Sequence, residues 1–162
     1  MGGKKRFIDK LQMVFDEGLY DPANEPDIAY PYLFSYFKGE EWRTQKETQR
    51  LLDKYFTTKP NGIPGNDDTG TMSAWAIFNM IGFYPDCPGL PEYTLTTPVF
   101  NKVTIRLDPK WYKEKELVIE SNRTQPGTLY INKVLLNGKK FNQYRITHDE
   151  LVHSQRILFD LK

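Results

Sequence analysis

Apolar positions recur at helical spacing through the first half of the chain and at alternate positions through the second. Phe7, Ile8, Leu11, Val14 and Phe15 share a face, with Lys4, Lys5, Asp9, Lys10 and Asp16 on the others, which predicts an amphipathic helix ending near Gly18. Residues 28–37 are densely aromatic and carry Pro31, which predicts a buried, bent helix starting near Pro26 or Ile28. Over residues 41–56, Trp42, Leu51, Leu52, Tyr55 and Phe56 mark an apolar helix face, while Arg43, Lys46, Glu47, Arg50 and Asp53 fill the remainder. Met72, Trp75, Ala76, Phe78, Asn79 and Ile81 mark a further helix, closed by Gly82 and a turn over residues 84–89.

Beyond Pro91 the period falls to two. Val103, Ile105 and Leu107, then Leu117 and Ile119, then Leu129 and Ile131 read as half-buried strands. Val134 and Leu136 lead into Asn137-Gly138, a two-residue hairpin signal, and Ile157, Phe159 and Leu161 form a last strand. The expected fold class is α+β, with a helical part over residues 1–88 and an antiparallel β-sheet or small sandwich over residues 89–162.

Composition narrows the function classes. A chain of 162 residues can bury one sizeable core or two small ones. With 22 basic and 21 acidic residues and a formal charge of +1, there is no electrostatic footprint for nucleic acid or an anionic membrane. Cys87 is the one cysteine, so no intrachain disulfide or multi-cysteine zinc site can form. No apolar run reaches membrane-spanning length, and the basic start Met1-Gly2-Gly3-Lys4-Lys5 lacks the apolar segment of a signal peptide. Aromatic residues make up 14% of the chain; most Phe are assigned to the core, while Tyr and Trp beside the loops are candidate stacking platforms for sugar rings. His148 and His153 fall in the strand-rich half and are read as surface residues.

The candidate chemistry is concentrated in Gly62-Ile63-Pro64-Gly65-Asn66-Asp67-Asp68-Thr69-Gly70, which delivers two adjacent carboxylates to the start of an apolar helix. Pro and Gly can hold such a loop in a defined shape, which suits general-base work or a hard cation. Alternatively, Asp68 or Thr69 is simply the helix N-cap. Local spacing leaves both readings open.

Six ordered blocks extend this pattern: Asn24-Glu25-Pro26, Ala29-Tyr30, Trp42-Arg43-Thr44-Gln45, Gly65-Asn66-Asp67-Asp68-Thr69-Gly70, Met72-Ser73-Ala74-Trp75 and Gly82-Phe83-Tyr84-Pro85. Together they resemble glycoside hydrolase family 92, calcium-dependent exo-acting α-mannosidases. Tyr93, Pro98 and Phe100 continue the pattern, so the resemblance covers most of residues 20–107. It implies that the helices are hairpins from the end of an (α/α)6 barrel and that the strands form the terminal β-region. It also implies partners: a mannose-containing glycan and the rest of a much longer enzyme with an N-terminal β-sandwich.

The implied reaction is inverting hydrolysis. An acid protonates the departing oxygen and a base activates water, the two carboxyl groups standing about 6.5–9.5 Å apart, so adjacent aspartates belong to one side of the pair. The resemblance places the base in this loop. Asp68 is the expected base, with Asp67 orienting it or binding substrate, and the acid is expected to be a Glu upstream of Met1. Asn66, Glu25 and Trp75 are expected to contact the sugar, and Asn24 and Glu25 to offer oxygen ligands to Ca²⁺; helix capping by Asn24 and Glu25 is the competing reading. The histidines that often follow the Asn-Glu-Pro block in the family are replaced by Asp27 and Ile28, which bears on linkage preference. By resemblance the compartment is periplasmic, cell-surface or secreted. A non-catalytic carbohydrate-binding or interaction module is the alternative function.

Overall fold

The helical spacing of Ile8, Leu11 and Phe15 becomes the buried face of α1 (Gly3–Asp16) in the structure, a computed structural model that describes residues 2–162. Phe15 stacks on Tyr20 at 5.1 Å between ring centroids and meets Phe34 at 6.0 Å, so this face is the seed of the first core.

Residues 25–36 are helical but not α-helical: Glu25–Tyr36 is a 3-10 helix. Pro31 has no N–H to close an α-helical bond and its ring would crowd the carbonyl of Asp27, so the chain takes tighter turns where a bent α-helix was expected. The Pro31 carbonyl instead accepts the hydroxyl of Thr44 at 2.8 Å. That threonine lies on α2 (Glu41–Tyr55), whose buried face also holds Gln45, Glu47, Thr48, Leu51 and Leu52. Glu47 was expected on the polar side, yet its side chain is 0% exposed. Its two oxygens accept from Gln12 Nε2 at 2.9 Å and Arg50 Nε at 2.7 Å, which lets a carboxylate join α1 to α2 without being left unpaired.

Next comes α3 (Thr71–Ile81), and within it the chain parts into two compact units, one ending at Ile77 and one running from Phe78 to Lys162. Phe78 and Ile81 pack on the second core, so the later half of this helix belongs with the strands.

The second unit contains β1 (Phe83–Tyr84), β2 (Glu92–Leu95), β3 (Lys102–Arg106), β4 (Glu116–Arg123), β5 (Ile131–Leu136), β6 (Lys139–Phe141), β7 (Arg145–Thr147), the short α4 (His148–Val152) and β8 (Arg156–Leu161). One sheet has the order β1-β2-β7 and the other β3-β4-β8-β5-β6. The inward positions Leu117, Ile119, Ile157, Phe159 and Leu161 are the apolar set that the alternation marked. Asn137 and Gly138, with φ of 49° and 80°, form the expected hairpin turn between β5 and β6. The larger sheet is mixed rather than purely antiparallel, because β4 and β8 pair in parallel. A buried ion pair ties the turn after β1 to the smaller sheet: Asp86, with a side chain 2% exposed, accepts from Arg145 at 3.1 Å and from Thr94 Oγ1 at 2.6 Å.

Candidate active site

The acidic loop stands on two close backbone approaches. Where α2 ends, Thr57 N–H donates to the Gly62 carbonyl at 2.9 Å, and a Cβ on Gly62 would fall 2.0 Å from the Thr57 carbonyl oxygen. At Gly65, with φ of 69°, a Cβ would lie 2.7 Å from Ala23 Cβ and 3.1 Å from its carbonyl oxygen. Glycine is therefore required at both positions. The second approach sets the loop alongside the segment just before Asn24 and Glu25, so two blocks far apart in sequence become neighbours.

The two aspartates have different surroundings. Asp67 is half-buried, and its Oδ1 accepts both the backbone N–H of Ser73 at 2.8 Å and the Ser73 hydroxyl at 2.7 Å. Its carbonyl accepts from Gly70 N–H at 3.1 Å and Met72 N–H at 3.2 Å. Asp67 thus satisfies donors at the start of α3, a task expected of Asp68 or Thr69. Asp68, Thr69 and Gly70 have φ of 47°, 60° and 93°, three successive residues in the left-handed region. A β-branched threonine there is unfavourable, and sparsely populated backbone angles cost roughly 1–3 kcal/mol each. The turn is fastened by Thr71, whose N–H and hydroxyl donate to the Asp68 carbonyl at 3.2 Å and 2.8 Å. The Asp68 carboxylate is exposed and accepts no hydrogen bond among the described residues.

Asn66 is exposed on the same loop. Trp75 is not: it is 1% exposed and stacks on Phe56 at 5.3 Å with 23° between the ring planes. Its indole packs α3 against the end of α2 and offers no open face to a sugar. Asn24 sits at the N-cap position of the 3-10 helix without making a side-chain cap bond, and its Nδ2 donates to Asp27 Oδ1 at 3.2 Å. Asp27 Oδ2 in turn accepts from Asp21 N–H at 3.3 Å. Glu25 is exposed in the first turn.

Asn24 Oδ1 and the Glu25 carboxylate are hard oxygens of the kind Ca²⁺ takes, but two side chains make only part of the roughly six to eight ligands it requires. No group of three or more His, Cys, Asp or Glu side chains suited to a metal occurs among the described residues. Asn24 and Glu25 by themselves do not complete such a shell.

Sequence reasoning missed two features. One is Ser73 as the partner of Asp67, a contact six residues along the chain that no helical or strand period marks. The other is His148, expected at the surface but half-buried between two tyrosines: Tyr93 Oη lies 2.9 Å from Nδ1 and Tyr112 Oη 3.5 Å from Nε2. His153 is exposed beside Asp149.

Comparison with known proteins matches the whole of residues 1–162 to the glycosyl hydrolase family 92 catalytic domain. The structure of the family GH92 α-mannosidase BT3965 from Bacteroides thetaiotaomicron superposes with a TM-score of 0.89 at 31% identity, covering 99% of this chain and 22% of that one. The family GH92 inverting mannosidase BT2199 from the same organism gives a TM-score of 0.78 at 34% identity, covering 93% of this chain and 20% of that one. An uncharacterized secreted glycosidase of Arthroderma benhamiae is 28% identical over 149 residues, which are 92% of this chain and 19% of that protein. The chain thus spans about a fifth of the length of these relatives.

Proposed function

Since the chain belongs to glycosyl hydrolase family 92, we propose that it forms the base-bearing side of the active site of an inverting α-mannosidase that removes terminal α-linked mannose from glycans. The observation that carries this reading is the asymmetry of the two aspartates. Asp67 is pinned by Ser73, while the exposed Asp68 keeps both carboxylate oxygens available on a turn fixed in an unfavourable conformation. In this reading Asp68 takes the proton from the attacking water, and Asp67 orients that water or a sugar hydroxyl with the oxygen Ser73 leaves unused. Asn66 and Glu25 line the sugar on either side of the Gly65–Ala23 contact. The general acid comes from outside the 162 residues, in keeping with relatives about five times as long.

Asn24 and Glu25 would contribute oxygens to a calcium ion, which when bound would hold sugar hydroxyls and favour distortion of the ring. Secretion is the proposed destination, supported by the secreted relative. No helix among the described residues is long and apolar enough to cross a membrane. The burial of Trp75 removes one of the platforms on which the alternative, a non-catalytic carbohydrate-binding module, would rest.

The test is Asp68→Asn in the longest natural polypeptide that carries this sequence, assayed on an aryl α-mannoside. Turnover should fall by about 10²- to 10⁴-fold, the usual share of a general base, with the melting temperature unchanged. Near-normal turnover would remove Asp68 from the role.

A further inference from the structure

We propose that Ser73 is a positioning residue for this reaction, holding the Asp67 carboxylate through its side-chain hydroxyl. The inference rests on the reading of the loop as base-bearing. Oδ1 of Asp67 receives two donors from this one residue, the backbone N–H at 2.8 Å and the hydroxyl at 2.7 Å. The N–H alone would cap the helix, and any residue but proline supplies it. The hydroxyl is a second constraint that few side chains can provide. Two hydrogen bonds to one oxygen restrict rotation of the carboxyl group, and neither of them engages Oδ2.

The main chain of Asp67 is held as well, because its carbonyl accepts from Gly70 and Met72. Ser73 therefore completes a clamp whose remaining free atom is Oδ2. That oxygen lies next along the chain to the Asp68 carboxylate and is the one left to orient water or a sugar hydroxyl.

A capping role and a positioning role make opposite predictions for Ser73→Ala. Alanine keeps the N–H and has the better helix propensity, so helix stability is preserved or raised while the hydroxyl is lost. In the longest natural polypeptide that carries this sequence, Ser73→Ala should lower kcat about ten- to hundredfold, the scale of one hydrogen bond to a charged group, with KM within about twofold of the parent. Ser73→Thr, which keeps a hydroxyl, should restore kcat to within about threefold. Ser73→Cys, similar in shape but a weak donor, should behave like Ser73→Ala and covers the case in which alanine disturbs the helix start.

The hydroxyl acts through Asp67, so in an Asp67→Ala background, which has no side-chain oxygen to accept it, Ser73→Ala should cost less than about twofold more. A kcat for Ser73→Ala within about twofold of the parent, or an equal loss in both backgrounds, overturns the proposal. Asp68→Asn measured alongside keeps the two claims apart. Lost turnover in Asp68→Asn with a normal Ser73→Ala removes only the role of Ser73, whereas normal turnover in Asp68→Asn removes the reading of the loop.

Discussion

At Gly65 a single missing Cβ sets the geometry of the site. A Cβ here would fall 2.7 Å from Ala23 Cβ, and the φ of 69° disfavours a side chain as well, so Gly65→Ala must push the loop away from the Asn24-Glu25 segment. A loss of stability of roughly 1–3 kcal/mol is expected in denaturant titrations, whereas a change within about 0.5 kcal/mol, the range of ordinary surface substitutions, would mean that the approach is not fixed. The two aspartates were legible as a candidate site, because paired acids between Pro-Gly and Gly announce themselves in sequence. Which of them is pinned was not legible. That depends on a hydroxyl six residues on and on a left-handed turn at Asp68 and Thr69, which local preference disfavours and only the surrounding structure enforces. Trp75 shows the same limit from the other side. A tryptophan beside an acidic loop suits a sugar platform and a core equally well until Phe56 is found stacked on it.

The elements themselves were largely written in the periods of the chain. α1, α2 and α3 follow their 3.6-residue stripes, and β3, β4, β5 and β8 their alternation. Where reading failed, the cause was either a backbone effect or a non-local pairing. Pro31 turned an aromatic helix into a 3-10 helix, and alternation marks which face of a strand is buried without naming its partner, so the parallel pairing of β4 with β8 was hidden. The short α4 was hidden too, being announced only by the capping box of Thr147 and Glu150.

Beside α4, burial first and the neighbouring Tyr112 second raise the pKa of Tyr93 above its ordinary value of 10.0. The folded state therefore holds the neutral phenol more tightly than the unfolded state does. Its contribution is complete below the ordinary tyrosine range and is lost as pH rises through the folded value. The stability advantage of the parent over Tyr93→Phe should accordingly shrink between about pH 9 and pH 12 in denaturant titrations. An advantage that grew with pH would show that the phenolate is the favoured form.

At the scale of the whole molecule, the superposition on the α-mannosidase takes in 99% of this chain but 22% of that one. Exposed apolar side chains such as Leu19 at 61% and Ile77 at 57% in the first unit, and Trp111 at 71% in the second, are consistent with surfaces that a longer enzyme would cover. In the proposed mechanism the base lies on this chain and the acid elsewhere. Chemical rescue tests that division most directly. In the longest natural polypeptide that carries this sequence, Asp68→Ala should lose turnover of an activated aryl α-mannoside. Azide, which needs no base, should restore it by forming a nitrogen–C1 bond as the aryloxide departs from the opposite face. The expected product is a mannosyl azide of β configuration, while undiminished turnover without azide, or an α-configured azide, would contradict the assignment of Asp68 as base.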